Sequence, residues 1–220
     1  MGIVAKSNGQ DFENELLPAG SHVAMCYAMI DLGTQETEFG GVKSKKRIVR
    51  VVWELSDEKK VFDEARGEEP LSAGKNFTLS MHEKATLRKF IENWRGKKYS
   101  EKEAEAVDIT VLLGVPCMLS ISHGVNETSG KEYAQINSAS LLPKSMPKPK
   151  LHNKSYFFSL DEFEQTRYDA LPKWLQEKIA LSDEYKALTA PVASQAKMPE
   201  PIPQTTYSEG TEDDGSDIPF

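Results

Sequence analysis

Residues 46–55 read KRIVRVVWEL, and this segment is the clearest β-strand in the 220-residue chain. Half of its ten residues are β-branched or aromatic, the residue types that pack well on a pleated sheet. Val49, Val51 and Trp53 alternate along it, so we expect them to share one face of a sheet, with Trp53 in a core. The segment therefore predicts a strand of a β-rich domain with a packed interior.

The segments on either side extend this strand into a sheet. Residues 22–32 are almost continuously apolar and predict a first strand. Residues 33–44 are polar and contain two consecutive glycines, so we expect a flexible loop that closes a long hairpin. Residues 57–73 are charged and are expected to be irregular, whereas residues 75–80 predict a short third strand.

A helix is predicted after the third strand. Ser80 and Glu83 have the spacing of a capping box, and Gly96 is placed to end the helix. A second capping box begins at Ser100, and residues 108–114 predict one further helical turn. The apolar residues of the first helix fall on one face: Leu87, Phe90, Ile91 and Trp94.

Two more strands complete the pattern. Residues 116–123 and 132–139 alternate between apolar and polar positions, and a glycine-flanked loop joins them. Three strands, helices and two strands is the layout of the oligonucleotide/oligosaccharide-binding (OB) fold. We therefore predict a mainly β fold of the α+β type. It comprises a five-stranded OB-fold barrel with helices between strands 3 and 4, a C-terminal helical extension and a disordered acidic tail.

Composition divides the chain into four predicted regions. The segment LPKSMPKP at 142–149 is rich in proline and lysine and marks a boundary. Beyond it, Ser159 with Glu162 is expected to cap one helix, and Pro172 is expected to open another. The predicted regions are an N-terminal arm at 1–18, the barrel at 19–143, a linker and helical extension at 144–189, and a proline-rich spacer with the acidic tail at 190–220.

The last thirteen residues, 208–220, read SEGTEDDGSDIPF. They contain five carboxylates and no basic residue, so they cannot bury enough apolar surface to fold alone. An acidic solubilising tail would explain the carboxylates but not the apolar ending. A peptide hook explains both, because apolar residues enter a partner's pocket while acids steer the approach. The expected partner-binding residues are Asp213, Asp214, Asp217, Ile218, Pro219 and Phe220.

The densest basic cluster occupies residues 43–50, with five cations and no carboxylate. Taken alone, this cluster is explained equally well by an ordinary solvated hairpin and by a nucleic-acid-binding surface. In an OB fold, however, the loops between the first two and the last two strands flank the groove that binds single strands. Such binding needs cations for phosphates and aromatic faces for bases. Tyr27 is consistent with a place either in the core or in the groove. The expected DNA contacts are Lys43, Lys45, Lys46, Arg47, Arg50 and Lys131 for phosphates, and Phe39 and Tyr133 for bases.

Charge is unevenly distributed along the chain. It carries 27 Lys and Arg against 34 Asp and Glu, for a net charge of -7, but residues 198–220 hold six of the acids and no base. The remainder is close to neutral and can still bind nucleic acid through clustered cations. Two cysteines are too few for a disulfide framework, and no signal peptide or membrane-length apolar run is evident. We therefore expect a cytoplasmic protein.

No catalytic or metal-binding motif supports an enzyme. Residues 41–44 lack the glycine spacing of a phosphate-binding loop and precede a strand rather than a helix. Cys117 lacks the second cysteine and the upstream H-x-E of a zinc deaminase. None of the four histidines has a Cys or His partner at metal-ligand spacing. We therefore expect a non-enzymatic protein without cofactor or metal.

The ending and the body together resemble a phage-type single-stranded DNA-binding protein. The resemblance rests on the terminal Ile-Pro-Phe, on KRIVRVVWEL, on NFTLSMHEKATLRKFIENWRG and on LLGVPCMLSISH, and it covers roughly residues 20–142 besides the tail. The family implies protection of exposed strands in replication, recombination and repair, with the tail docking host or phage proteins in the host cytoplasm. The helical segment 156–188 has no counterpart in the compact bacterial proteins, so the resemblance does not decide whether the chain forms a homo-oligomer.

Two other functions are consistent with the sequence. One is a protein-interaction adaptor whose OB-like barrel binds no nucleic acid. The other is a recombination mediator or annealing protein that prefers duplex or RNA. Titration of single-stranded and double-stranded oligonucleotides at two salt concentrations would separate the three hypotheses, because each predicts a different preference.

Overall fold

The computed structural model describes residues 16–190 apart from Gly40 and Thr128, and it does not describe the side chain of Phe39. The predicted tail and most of the predicted N-terminal arm therefore lie outside the described residues. The elements in chain order are β1 (Gly20–Phe39), β2 (Val42–Asp63), β3 (Gly67–Thr78), α1 (Thr86–Arg95), α2 (Glu101–Ala104), a 3₁₀ turn (Ile109–Leu112), β4 (Pro116–Val125), β5 (Glu132–Ser140), β6 (Tyr156–Phe158), α3 (Gln165–Asp169), α4 (Lys173–Ala180) and α5 (Asp183–Thr189).

Five antiparallel strands form one curled sheet, in the spatial order β3-β2-β1-β4-β5. The two outermost strands, β3 and β5, approach each other, and the Lys75 ammonium on β3 donates a hydrogen bond to the carbonyl of Ile136 on β5. The sheet is thus a half-barrel, with α1 placed between β3 and β4 in the chain. This architecture is mainly β with some helices and is consistent with an OB-like fold.

The concave side of the sheet packs on α1 around a cluster of aromatic rings. Trp53 on β2 is fully buried, and its ring centroid lies 5.6 Å from those of Phe90 and Trp94 on α1. Phe77 on β3 lies 4.9 Å from Phe90 by the same measure. The prediction that Trp53 and the apolar face of the helix form the core is therefore confirmed.

The hairpins are longer than the sequence predicts. Residues 33–44 are not a loop, because β1 and β2 stay paired from Gly33–Ile48 out to Phe39–Val42. Residues 57–73 are not irregular either, since β2 continues to Asp63 and β3 begins at Gly67. Apart from Thr34 and Gln35, which contact α5 and α4, these ribbons are largely exposed, so their sequences need no apolar alternation, and the period-2 signal is missing.

Helix starts were predicted with mixed success. The Ser100–Glu103 capping box is present, and Gly96 ends α1 in the left-handed conformation. The Ser80–Glu83 box is wrong, because α1 begins at Thr86 and has no side-chain cap. Ser80 instead accepts a hydrogen bond from the backbone N–H of His82, so a local turn satisfies the side chain before the helix begins.

The second predicted cap fails in the same way. Ser159 accepts from the N–H of Asp161 in a turn, and α3 begins only after Glu164. Pro172, in contrast, directly precedes α4 as its N-cap, which confirms that a helix opens there. A short S-x-x-E motif thus identified a turn rather than a helix start in two of three places.

The C-terminal extension packs on the outer face of the sheet. β6 pairs in parallel with Ala28–Ile30 of β1. Ala28, Ile30 and Val52 on the sheet share a second apolar core with the extension, which contributes Phe158, Leu160, Tyr168, Leu171, Leu175 and Ile179. β1 is therefore covered on both faces, which explains its nearly continuous apolar sequence. Within the described ranges, no helix is long and apolar enough to cross a membrane.

Candidate nucleic-acid interface

Two of the predicted phosphate contacts are already paired with carboxylates. The Lys43 ammonium lies 2.8 Å from a carboxylate oxygen of Glu36 across the hairpin, and Lys45 lies 2.8 Å from Asp183 on α5. Hydrogen bonding to these carboxylates raises the pKa of both lysines. All four groups are well exposed, so these pairs are easily exchanged for other ions.

Arg47 is committed more firmly than the lysines. Its guanidinium pairs with Asp31 on β1 and with Asp161 in the loop after β6, and the Asp31 hydrogen bond is the main reason that its pKa is raised. Asp31 is buried and also accepts the backbone N–H groups of Gly33 and Leu160. Arg47 thus fastens the extension to the sheet, and its charge is neutralised.

Arg50 differs from Lys43, Lys45 and Arg47. It lies on the outer face of β2, where its Nη1 donates to Asn76 Oδ1 at 3.0 Å. Its guanidinium lies close to Gly74, with its Cζ 4.9 Å from the centroid of the Trp174 ring. No described carboxylate pairs with it, and desolvation lowers its pKa. Arg50 is therefore a half-buried cation without a counter-ion.

Lys46 is also unpaired within the described residues, and it is exposed. It lines a polar recess together with Asn76, Thr78, Ser80, His82 and Lys84. Asn76 therefore borders this recess and also holds Arg50. Asn76 is thus shared by the surroundings of the two uncompensated cations of the cluster.

The strand that follows the second predicted loop contributes an exposed aromatic ring. Tyr133 on β5 is 46% exposed, and its ring covers Gly124 so closely that a Cβ there would lie 2.9 Å from it. Lys131 is exposed and has no ion pair in the described part of the chain. Neither residue is joined by a described hydrogen bond or ion pair to the cations of β2. Phe39 lies at the hairpin end, opposite Val42.

Sequence reasoning missed an open cleft beside Arg50. Its volume is about 410 Å³, and its walls come from the outer face of β1–β3, from residues 153–156 and from the start of α4. Tyr27 lies in it because a β-bulge after Cys26 adds a residue to β1, and the Tyr27 hydroxyl contacts Ser72 Oγ at 3.2 Å. Trp174 forms another wall and is 50% exposed.

Known proteins give no further guide. The chain matches no protein-family model, no curated protein and no solved structure. The resemblance to phage single-stranded DNA-binding proteins therefore remains a hypothesis, and so does the predicted division into four regions.

A buried carboxylate holds one wall of the cleft in place. Glu54 on β2 is 1% exposed, and its oxygens accept the backbone N–H groups of His152 and Asn153 at 2.8 and 2.9 Å. The Asn153 side-chain amide donates a third hydrogen bond at 2.8 Å. Glu54 therefore fixes the segment that leads into Lys154 and β6.

The described residues also contain the side-chain types that metal and thiol sites require. Among the described residues, no three His, Cys, Asp or Glu side chains cluster where they could hold a metal ion. Both cysteines are buried, and burial raises the pKa of Cys26 to about 12. Signals for the cleft were present in the sequence, because Trp174 lies beside rather than on the Leu175–Ile179 face of its helix.

Proposed function

We propose that this protein is a non-enzymatic, sequence-independent single-stranded DNA-binding protein built on an OB-fold barrel. The observation that carries the proposal is the half-buried, uncompensated guanidinium of Arg50 on the outer face of β2. A cation that is partly removed from water without a counter-ion is costly, and a bound phosphate relieves that cost. Lys46, on the other side of Asn76, extends the positive surface along β2 and β3.

The structure changes the expected strength of the electrostatic contribution. Of the five cations in the hairpin cluster, Lys43, Lys45 and Arg47 have carboxylate partners. Arg50, Lys46 and Lys131 remain for phosphates. At about 0.7 per contact, three contacts give a log–log salt slope of about -2 for single strands. Engagement of all five hairpin cations would instead give a slope of about -3.5.

A binding titration tests the proposal. Fluorescence anisotropy of a labelled oligothymidine strand and of a matched duplex is measured at two salt concentrations. We expect the single strand to bind more tightly, with a slope near -2. The double variant Lys46→Gln/Arg50→Gln is expected to lose most of this affinity. The control Lys59→Gln/Lys102→Gln removes two other exposed lysines and equals it in net charge.

Each other result contradicts the proposal in a different way. Equal affinity for the duplex indicates a mediator or annealing protein. No binding at low salt indicates an adaptor. If the two double variants bind alike, the site does not lie on the outer face of β2.

The wider role follows from the sequence. We propose that the chain coats and protects single strands in replication, recombination and repair, and that residues 208–220 recruit host or phage proteins. The acidic tail would compete with DNA for the cations. A chain ending at residue 207 is then expected to bind DNA equally or more tightly. A loss of DNA binding on truncation would contradict this division of roles.

A further inference from the structure

We infer that the cleft between the sheet and α4 binds one nucleotide of the single strand, with the base stacked on Trp174. The inference rests on the proposed function and assigns a role to the C-terminal extension. It makes α4 one wall of the DNA site, so the barrel alone would be an incomplete binder.

The size and the lining of the cleft suit a single nucleotide. Its volume of about 410 Å³ lies within the usual range for small-ligand sites, about 300–1,000 Å³. The lining combines the rings of Tyr27, Tyr156 and Trp174 with the cations Arg50 and Lys154. None of the lining residues is acidic. Aromatic walls with an uncompensated positive charge match a ligand that is both aromatic and anionic.

Trp174 is not needed to hold its helix in place. α4 is anchored by Leu175 and Ile179, which are 3% and 0% exposed in the outer core. Trp174 directly precedes Leu175 yet is half exposed, with the Arg50 guanidinium over its ring. A large, partly exposed aromatic ring beside a cation is the arrangement that single-strand binders use to stack bases.

The contacts of Arg50 allow the exchange that binding requires. Only one neutral hydrogen bond, to Asn76, and the Trp174 ring hold the guanidinium among the described residues. A phosphate offers a stronger, charged hydrogen bond than either. When Arg50 turns to the phosphate, the face of Trp174 that it covered becomes available to the base. A duplex lacks this option, because its bases are already stacked and paired.

The wall formed by α4 is rigidly placed. The Glu184 carboxylate at the start of α5 accepts hydrogen bonds from the backbone N–H and the hydroxyl of Thr34, both at 2.6 Å. The Gln35 side-chain amide donates to the carbonyl of Lys178 at the end of α4 at 2.9 Å. These contacts tie α4 and α5 to β1, so the distance between Trp174 and the sheet is set before a ligand arrives.

Intrinsic fluorescence reports on this site. The other two tryptophans, Trp53 and Trp94, are 0% and 1% exposed, so among the three tryptophans a base can stack only on Trp174. Oligothymidine is titrated into the full chain while tryptophan emission and anisotropy are followed. We expect quenching in the full chain and none in Trp174→Phe. Trp174→Ala is expected to bind about five- to 150-fold more weakly, and Trp174→Phe is expected to recover part of the loss.

The matched control is Leu181→Ala, which removes another exposed apolar side chain just after α4. Thermal unfolding of each variant verifies that it folds. If Trp174→Ala and Leu181→Ala bind alike while Lys46→Gln/Arg50→Gln is weakened, the inference is overturned and the proposed function stands. If the full chain binds no single strand, both fail. If a chain ending at residue 207 still binds the single strand but its emission is no longer quenched, the emission change comes from the tail rather than from a stacked base, and the inference is also overturned.

Discussion

The Arg50 guanidinium lies between the Trp174 ring, 4.9 Å from its centroid, and the backbone of Gly74. The three residues come from β2, α4 and β3. Because no described carboxylate joins them, the charge of Arg50 stays available on a surface that also carries an exposed aromatic ring. This relationship distinguishes Arg50 from the other cations of the hairpin, and it supports both the proposed function and the role of the extension.

Gly74→Ala is expected to weaken single-strand binding about fivefold, the equivalent of roughly 1 kcal/mol for one perturbed charged contact. A Cβ at position 74 would lie 2.3 Å from Arg50 Nη2, so the guanidinium must move. Anisotropy titration measures the change. In an Arg50→Gln background the same substitution should have little effect, because the group it displaces is gone. Additive losses would show that Gly74 acts independently of Arg50.

Release of the paired lysines should steepen the salt dependence. In Glu36→Gln/Asp183→Asn, Lys43 and Lys45 lose their carboxylate partners and become free to contact phosphate. Two added contacts make the slope more negative by about 1.4 and tighten binding at low salt. The control Glu68→Gln/Glu105→Gln changes the net charge equally without freeing a described lysine. If both double variants shift the slope alike, only net charge matters.

Gly33→Ala should loosen the extension. Gly33 has φ +70°, and a Cβ there would lie 2.5 Å from Ser182 Cβ and 2.7 Å from Leu160 Cδ1. Gly41→Ala is the matched control, with φ +78° but no atom near the added Cβ. Urea unfolding should show a loss of about 1–3 kcal/mol from the backbone alone in both variants and a larger loss in Gly33→Ala. Equal losses would mean that Ser182 and Leu160 readily move aside.

Acid stability should depend on Glu92. Hydrogen bonds from Lys98 and from the N–H of Tyr99 are the main causes that lower its pKa from 4.5 to about 2. The resulting stabilisation is complete above about pH 4.5 and disappears as the pH falls towards 2. Glu92→Gln should therefore lower the unfolding midpoint at pH 7 and flatten its decline between pH 4.5 and 2. Glu105→Gln, at an exposed carboxylate, serves as control, and an unchanged acid slope in Glu92→Gln would contradict the assignment.

Buried segments could be predicted well from the sequence. The alternation of β4 and β5 places Cys117, Leu119 and Ile121 inside and Tyr133 outside, as observed. The apolar face of α1 is also correct. These predictions succeed because burial on one face imposes a period of two or 3.6 on the sequence. The exposed ribbons of β1–β2 and β2–β3 lie under no such constraint, so their pairing was read as loop.

The candidate site could be predicted only in part. The cluster at 43–50 pointed to the correct strand, but nothing in it separates Arg50 from Lys43, Lys45 and Arg47. Lys45 pairs with Asp183, and Arg47 pairs with Asp161 besides Asp31. Asp161 and Asp183 are more than a hundred positions away from these cations along the chain. Such pairings depend on where the extension packs. Similarly, Tyr27 enters the cleft through a β-bulge that shifts the register of β1.

By itself, the sequence determined which segments are buried, where the basic cluster and the acidic ending lie, and that helices follow the barrel. These properties are local, because they depend on composition and on the spacing of neighbouring residues. Only the tertiary structure decided which cations remain unpaired, that β1 is covered on both faces at Ala28–Ile30, and that Trp174 lies against Arg50. The physical reason is that charge compensation and cleft formation join residues far apart in the chain, and packing alone brings them together.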